Sequence, residues 1–249
     1  MKVKAILVAG GHGNRLFPFT KYTQKTLLPL FERPVIDYAL GTIRRSGIKD
    51  ITIISNQFIG QIAKHVGTGL EDEKIHYVLE ETPSGVAAAL ELARPHNEDC
   101  RLLIYFSDNI TTVELAETVE QYISSESNPG CVLLAREEKN PQAFGVAVMS
   151  DAGKVIDIVE KPANPPSNLA IGGIYLFDER FWGFFDEGVA EMAEDFSISD
   201  VTRRYVKDGS ATLLTVGEET WVDCGTAESL LQASIMARDG KLNPSPHRE

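Results

Sequence analysis

Between Val8 and Leu30 the chain reads VAGGHGNRLFPFTKYTQKTLLPL. Gly10, Gly11 and Gly13 are followed at short range by Arg15 and Lys25. Glycines let backbone N–H groups approach oxygens closely, and the two cations add charge, so the stretch reads as a loop that holds phosphate. Spacing excludes two common phosphate loops. A G-x-x-x-x-G-K-[ST] loop needs a glycine followed by Lys-Ser/Thr, and none is present. A G-x-G-x-x-G fingerprint fails because Asn14, Arg15 and Leu16 follow Gly13 where a third glycine is required. Farther on, Asp108 and Asp223 each end an apolar run just before a turn. Two carboxylates with phosphate oxygens make a hard-ligand site suited to Mg²⁺. They lie 115 positions apart, so only the fold can join them. The five histidines show no metal-protease spacing. His12 reads as a loop-tip residue, with phosphate contact as the alternative.

The elements that must carry these residues alternate. Val3–Ala9 is a near-continuous apolar run that stops at the glycines, as a buried parallel strand does. RPVIDYALGTIRRSG reads as a helix, with Pro34 in its first turn, one face at Val35, Tyr38, Ala39 and Ile43, and Gly47 as its stop. Ile51–Ser55, Ile75–Leu79, Leu102–Phe106 and Cys131–Ala135 read as further strands, and a helical SGVAAALELA follows the third strand of the chain. This order predicts βαβ units and a Rossmann-like three-layer α/β sandwich around a mostly parallel, mixed sheet. After about residue 140 the pattern changes. A hairpin around Asp151-Ala152-Gly153, a strand at Leu169–Phe177, a helix in SISDVTRRYVKDG, two short strands and a helix near Thr226–Arg238 are expected to extend the same sheet. The organisation predicted is one domain over 1–240, in two halves, 1–140 and 141–240, and a mobile tail over 241–249.

Composition narrows the class. The 249 residues are 43% hydrophobic and carry a net charge of −12, which argues against nucleic acid as a partner. Residues 1–33 nevertheless hold six Lys/Arg against Glu32 alone, a local +5 that leaves −17 for the rest. A cationic patch on an acidic chain suits a small polyanion. No run of about 18 apolar residues exists, so no membrane partner is expected. The basic, apolar N-terminus reads as a first strand and not as a signal peptide. Three cysteines without C-x-x-C spacing suggest a reducing, cytoplasmic setting. Self-association into a homo-oligomer is left open.

The stretch as a whole resembles the signature of the sugar nucleotidylyltransferases (NDP-sugar pyrophosphorylases), G-G-x-G-[TS]-R-L-x-P-x-T, then a lysine, then L-x-P. Gly10, Gly11, Gly13, Arg15, Leu16, Pro18, Thr20, Lys25, Leu28 and Pro29 match it. PSGVAAA, FSDN, FGV, EKP, AIGGIYLFD, SISDV and WVDCGT follow in the order of the glucose-1-phosphate thymidylyltransferase branch, short form, over residues 3–235. The resemblance implies joining of a sugar 1-phosphate, glucose 1-phosphate first, to an NTP, with dTTP or UTP expected above purines. It implies Arg15, Lys25 and Lys161 as catalytic cations. It also implies Ala9, Gly10, Gly11, Gly13, Glu80, Pro83 and Gly85 at the nucleotide, and Gly145, Glu160, Lys161 and Gly172 at the sugar. Asp108 and Asp223 are implied for Mg²⁺.

The chain departs from that branch in places. Glu80 stands where a glutamine faces the base, and Thr26 replaces Gln or His. Ser84 and Ser107 replace Asp and Gly, Ser197 stands at a sugar-contacting Glu, and Cys224 beside Asp223 reads as a packed thiol. The chain stops soon after its last helix, where longer relatives carry helices of a regulatory site. Two other classes compete. A non-catalytic regulatory relative predicts losses among Arg15, Lys25, Asp108, Lys161 and Asp223, and none is lost. A glycosyltransferase predicts D-x-D after a strand, where SDN offers one carboxylate.

Overall fold

The structure is a computed structural model that describes residues 2–124, 129–217 and 219–245. In chain order its elements are β1 (Val3–Val8), β2 (Pro29–Leu30), β3 (Arg33–Pro34), α1 (Val35–Arg45), β4 (Asp50–Ser55), α2 (Ile59–Val66), β5 (Lys74–Leu79), α3 (Val86–Asn97), β6 (Arg101–Phe106) and β7 (Asn109–Thr111). Then follow α4 (Ala116–Ser124), β8 (Cys131–Glu137), β9 (Gly145–Met149), β10 (Val155–Glu160), β11 (Leu169–Phe177), α5 (Phe181–Met192), α6 (Ile198–Lys207), β12 (Ala211–Thr215), β13 (Trp221–Asp223) and α7 (Ala227–Arg238).

Alternation along β1 explains the layering. Ile6 packs with α3, α5 and α6 through Leu90, Phe181 and Tyr205. Ala5 and Leu7 face the other way, toward α1, α2 and α4 through Ile36, Ile62 and Val119. Period two on the strands thus fills both helical layers. The result is a three-layer α/β sandwich on a nine-stranded mixed sheet, parallel from β5 through β4 and β1 to β6. The second half extends that sheet, and no described helix is long and apolar enough to cross a membrane.

Two features of topology position the site. First, β1 lies between β4 and β6, so the chain leaves β1 in one direction and β6 in the other. Such a switch point opens a crevice at the carboxyl ends of the two strands. Second, β11 forks the sheet. β8 pairs with one of its edges, while the other edge is shared: Val146 of β9 pairs Ala170, and β6 pairs Ile174–Phe177. Gly172 and Gly173 sit where the partner changes. The Trp221 indole fills the place a Cβ on Gly172 would take. Gly172→Ala is therefore expected to cost about 1–3 kcal/mol as an overpacked core site, a fall of several degrees in Tm. A melt that matches the parent protein would show that the indole has room to move.

After the glycine loop three single 3₁₀ turns, Asn14–Leu16, Phe19–Lys21 and Lys25–Leu27, carry the chain to β2. Pro18 and Pro29 remove the donors a continuous helix needs. Residues 241–245 do not behave as a loose tail: Leu242 and Ser245 are buried, and Ser245 N donates to Asp37 O at 2.7 Å. The rest of the expected tail, 246–249, lies outside the described residues. α2, α4 and α5 have no counterpart in the sequence reading. α2 and α5 carry internal glycines, which lower helix propensity, and packing against the sheet overrides that.

Candidate active site

A cavity of about 250 Å³ opens at the switch point. Val8, Gly10, Gly11 and His12 wall it from the end of β1, Phe106 and Asp108 from the end of β6, and Glu80, Pro83, Gly85, Val86 and Ala89 from the β5–α3 connection. Lys25 reaches in from the third 3₁₀ turn. Gly85 has φ 106° and ψ 174°, a conformation essentially reserved for glycine. Gly10 lets the Glu80 carboxylate lie close to the loop, since a Cβ there would push the end of that side chain aside.

Several buried polar side chains that the sequence reading missed hold this loop in place. Gln24 donates through Nε2 to Ala9 O and accepts from Lys25 N at 2.6 Å, which fixes the base of the loop and the start of the Lys25 turn together. Asn56 Nδ2 donates to Gly10 O at 3.2 Å, and Ser107 Oγ to Val8 O at 2.9 Å. Ala9 is thus buried framework with its carbonyl already engaged. No local pattern marks Gln24 or Asn56, because their partners are distant backbone groups. Gly13 and Thr26 do not wall the cavity; Thr26 is fully buried, and its hydroxyl has no hydrogen-bond partner among the described residues.

The two aspartates meet through a short antiparallel ribbon. β13 pairs β7 with Asp223 opposite Asn109, and Cys224 N donates to Asp108 O at 2.7 Å. Asn109 locks the corner: Nδ2 donates to Asp108 Oδ1 at 3.2 Å, and Oδ1 accepts from Trp221 Nε1 at 2.9 Å and Gly173 N at 3.3 Å. Lys25 Nζ pairs with Asp108 Oδ2. Burial, then the charge of Asp108, pushes the Asp223 carboxyl above the usual range; Lys25, the Gly225 N–H and Arg15 oppose this. Two crowded carboxylates of this kind fit a divalent cation, provided phosphate oxygens complete its shell. Among the described residues no group of three or more His, Cys, Asp or Glu could hold a metal alone. Arg15 is exposed, with its guanidinium over Gly225 on the Asp223 side. Burial, then Asp108 and Asp223, pushes the Cys224 thiol far up, which makes it an inert packing group.

The remaining predicted residues lie across the fork. Gly145 and Glu160 are paired across the β9–β10 hairpin, and Val146 opposite Ala170 sets them at the same sheet edge as Asp108. Ser199 Oγ donates to Glu160 Oε2 at 2.6 Å, a contact absent from the sequence reading. Lys161, with φ 41°, is exposed and pairs with Glu160 Oε1 at 3.2 Å. Neither Lys161 nor Glu160 walls the cavity. Gly172 makes room for Trp221, and Ser197 caps α6 in a reciprocal pair with Asp200.

Comparison with known proteins bears on this arrangement. The family model for nucleotidyl transferases matches residues 4–239. The low-salt glycan biosynthesis nucleotidyltransferase Agl11 of Haloferax volcanii is 31% identical over 241 residues, which cover 96% of this chain and 67% of that one. Glucose-1-phosphate thymidylyltransferase of Neisseria meningitidis is 31% identical over 236 residues, 93% and 81% of the two chains. A crystal structure from Bacillus anthracis, named for glucose-1-phosphate thymidylyltransferase, superposes with a TM-score of 0.89 at 32% identity over 98% of both chains.

Proposed function

Because the chain belongs to the sugar nucleotidyltransferase family, we propose that it joins a sugar 1-phosphate to a nucleoside triphosphate, releasing pyrophosphate. The observation that carries this reading is the convergence of Lys25, Asp108 and the glycine loop on one cavity, with Asp223 beside Asp108. A phosphate oxygen of the sugar phosphate attacks the α-phosphorus in line. The bond from that phosphorus to the bridging oxygen breaks, and the electron pair leaves with pyrophosphate. Two anions must meet, so the chain's part is positioning and charge neutralisation. Lys25 and Arg15 face the triphosphate, and Lys161 with Glu160 and the Gly145 backbone takes the sugar phosphate. Mg²⁺ held by Asp108, Asp223 and phosphate oxygens would neutralise the charge that develops there.

Glucose 1-phosphate is the first sugar to test, in keeping with the Neisseria relative. The thymidylyl in that relative's name makes dTTP, with UTP beside it, the first triphosphate to test, and the identity of the base turns on Glu80. A panel of NTPs against sugar 1-phosphates with Mg²⁺, scored by pyrophosphate release, tests the assignment. Release that requires both substrates is the expected result, and release with no sugar phosphate, or with none of the pairs, rejects it.

A further inference from the structure

Glu80 is an unusual wall for a site that takes polyphosphate. Only 4% of the residue is exposed, yet its side chain borders the cavity. Its position is fixed at both ends. The backbone N donates to Ser55 O at 2.8 Å, and Oε1 accepts a long bond of 3.4 Å from Ser84 N. Oε2 lies against Gly10 and has no hydrogen-bond partner among the described residues. No Lys or Arg pairs with this carboxylate there either; Lys25, the cation that shares the cavity, is paired with Asp108. This acceptor borders the open cavity and is free to take a donor from a ligand there, and a ligand that covers it without supplying one loses affinity.

The ligand's parts can be assigned to the walls by charge. Phosphates go to Lys25 and Arg15, and an unpaired carboxylate repels them. The flat, uncharged part of a nucleotide is left for Glu80 and the apolar walls made by Val8, Val86, Ala89 and Phe106. A carboxylate accepts and cannot donate. Guanine offers it two adjacent donors, N1–H and the 2-amino group, one for each oxygen. Uracil and thymine place N3–H between two carbonyl oxygens, so one bond forms beside a repulsive contact. Adenine and cytosine set their single amino group beside a bare ring nitrogen, with the same result. Resting on the activity proposed above, we infer that Glu80 makes this a guanine-selecting site, contrary to the pyrimidine preference expected from the sequence.

Isothermal titration of the whole protein with GTP, UTP and dTTP in Mg²⁺ tests this. The parent protein is expected to bind GTP at least tenfold more tightly than UTP or dTTP, a modest part of the discrimination that built polar sites achieve. Glu80→Gln restores a donor beside the acceptor, which matches a pyrimidine carbonyl and N3–H. It should weaken GTP at least tenfold and strengthen UTP and dTTP, with an unchanged melting temperature in the absence of ligand. Tighter UTP or dTTP binding by the parent protein overturns the inference and leaves the proposed activity standing. So does an unchanged ranking in a Glu80→Gln protein that is folded. If neither protein binds any triphosphate, the proposed activity falls and the inference with it. The ranking in the parent protein decides the matter even if the variant does not fold.

Discussion

Arg15→Ala lowers kcat/KM by about 3–5 kcal/mol, most of it in kcat, the scale of losing a principal charge stabiliser. The guanidinium is exposed over Gly225 on the Asp223 side, where the proposed reaction would build negative charge as pyrophosphate departs. An interaction that strengthens in the transition state shows in kcat, whereas a uniform one shows in KM. Arg15→Lys recovers only part of the loss, since an ammonium lacks the planar two-point contact. Lys25→Ala should hurt both parameters, because its charge also serves the bound triphosphate. The competing role is mechanical: Arg15 ties the first 3₁₀ turn to the segment after β13. In that case Arg15→Ala lowers Tm, and saturating substrate restores turnover. Measurement of kcat, KM and Tm on the three variants separates the outcomes, and restored turnover would sink the catalytic role.

Asp108→Asn and Asp223→Asn each reduce turnover by on the order of 100-fold or more without unfolding the protein. Each amide keeps the shape of the side chain it replaces but removes a charge from a hard-ligand pair. The two changes should differ in what they leave behind. Asp108→Asn also frees Lys25 from its only ion pair among the described residues, while Asp223→Asn relieves a carboxyl that burial and its neighbour already push upward. Activity titrated against Mg²⁺, with circular dichroism as the folding check, decides the point. Near-normal rates for both variants at saturating Mg²⁺ would show that neither carboxylate serves the metal.

Strands were the most readable part of the chain, because VKAILV, LLIYF and LAIGGIYLF are near-continuous apolar runs, the first stopped by glycines and the others bounded by polar residues. Burial on both faces of a sheet leaves that mark in composition. Helices α2 and α5 left none: each is held by its packing against the sheet more than by its own residues. Arg15, Lys25 and the glycines were legible through their spacing, and Asp108 and Asp223 through their place after strands. The ties that place them were not. Gln24 to Ala9, Asn109 to Trp221 and Ser199 to Glu160 join positions 15, 112 and 39 residues apart. Such pairs depend on how β1, β7, β10 and α6 are brought together, which no local pattern encodes.

The fork at β11 bears on how the molecule can be re-engineered. The β9–β10 hairpin joins the main sheet through a single residue pair, Val146 with Ala170. It is also held by Ser167, whose Oγ donates to Ala147 O at 2.6 Å, and by α6, where Arg203 donates to Ile158 O at 3.0 and 2.8 Å and Ser199 holds Glu160. The hairpin, residues 145–160, is therefore joined to the sheet by a thinner seam than the crevice between β1 and β6, which is stitched along full strands, while α6 is anchored in the core through Val201 and Tyr205. On the proposed function, grafts from relatives that accept other sugars belong on the hairpin, which shares no strand pairing with β1, β4 or β5 and so leaves the register around Lys25 and Glu80 in place.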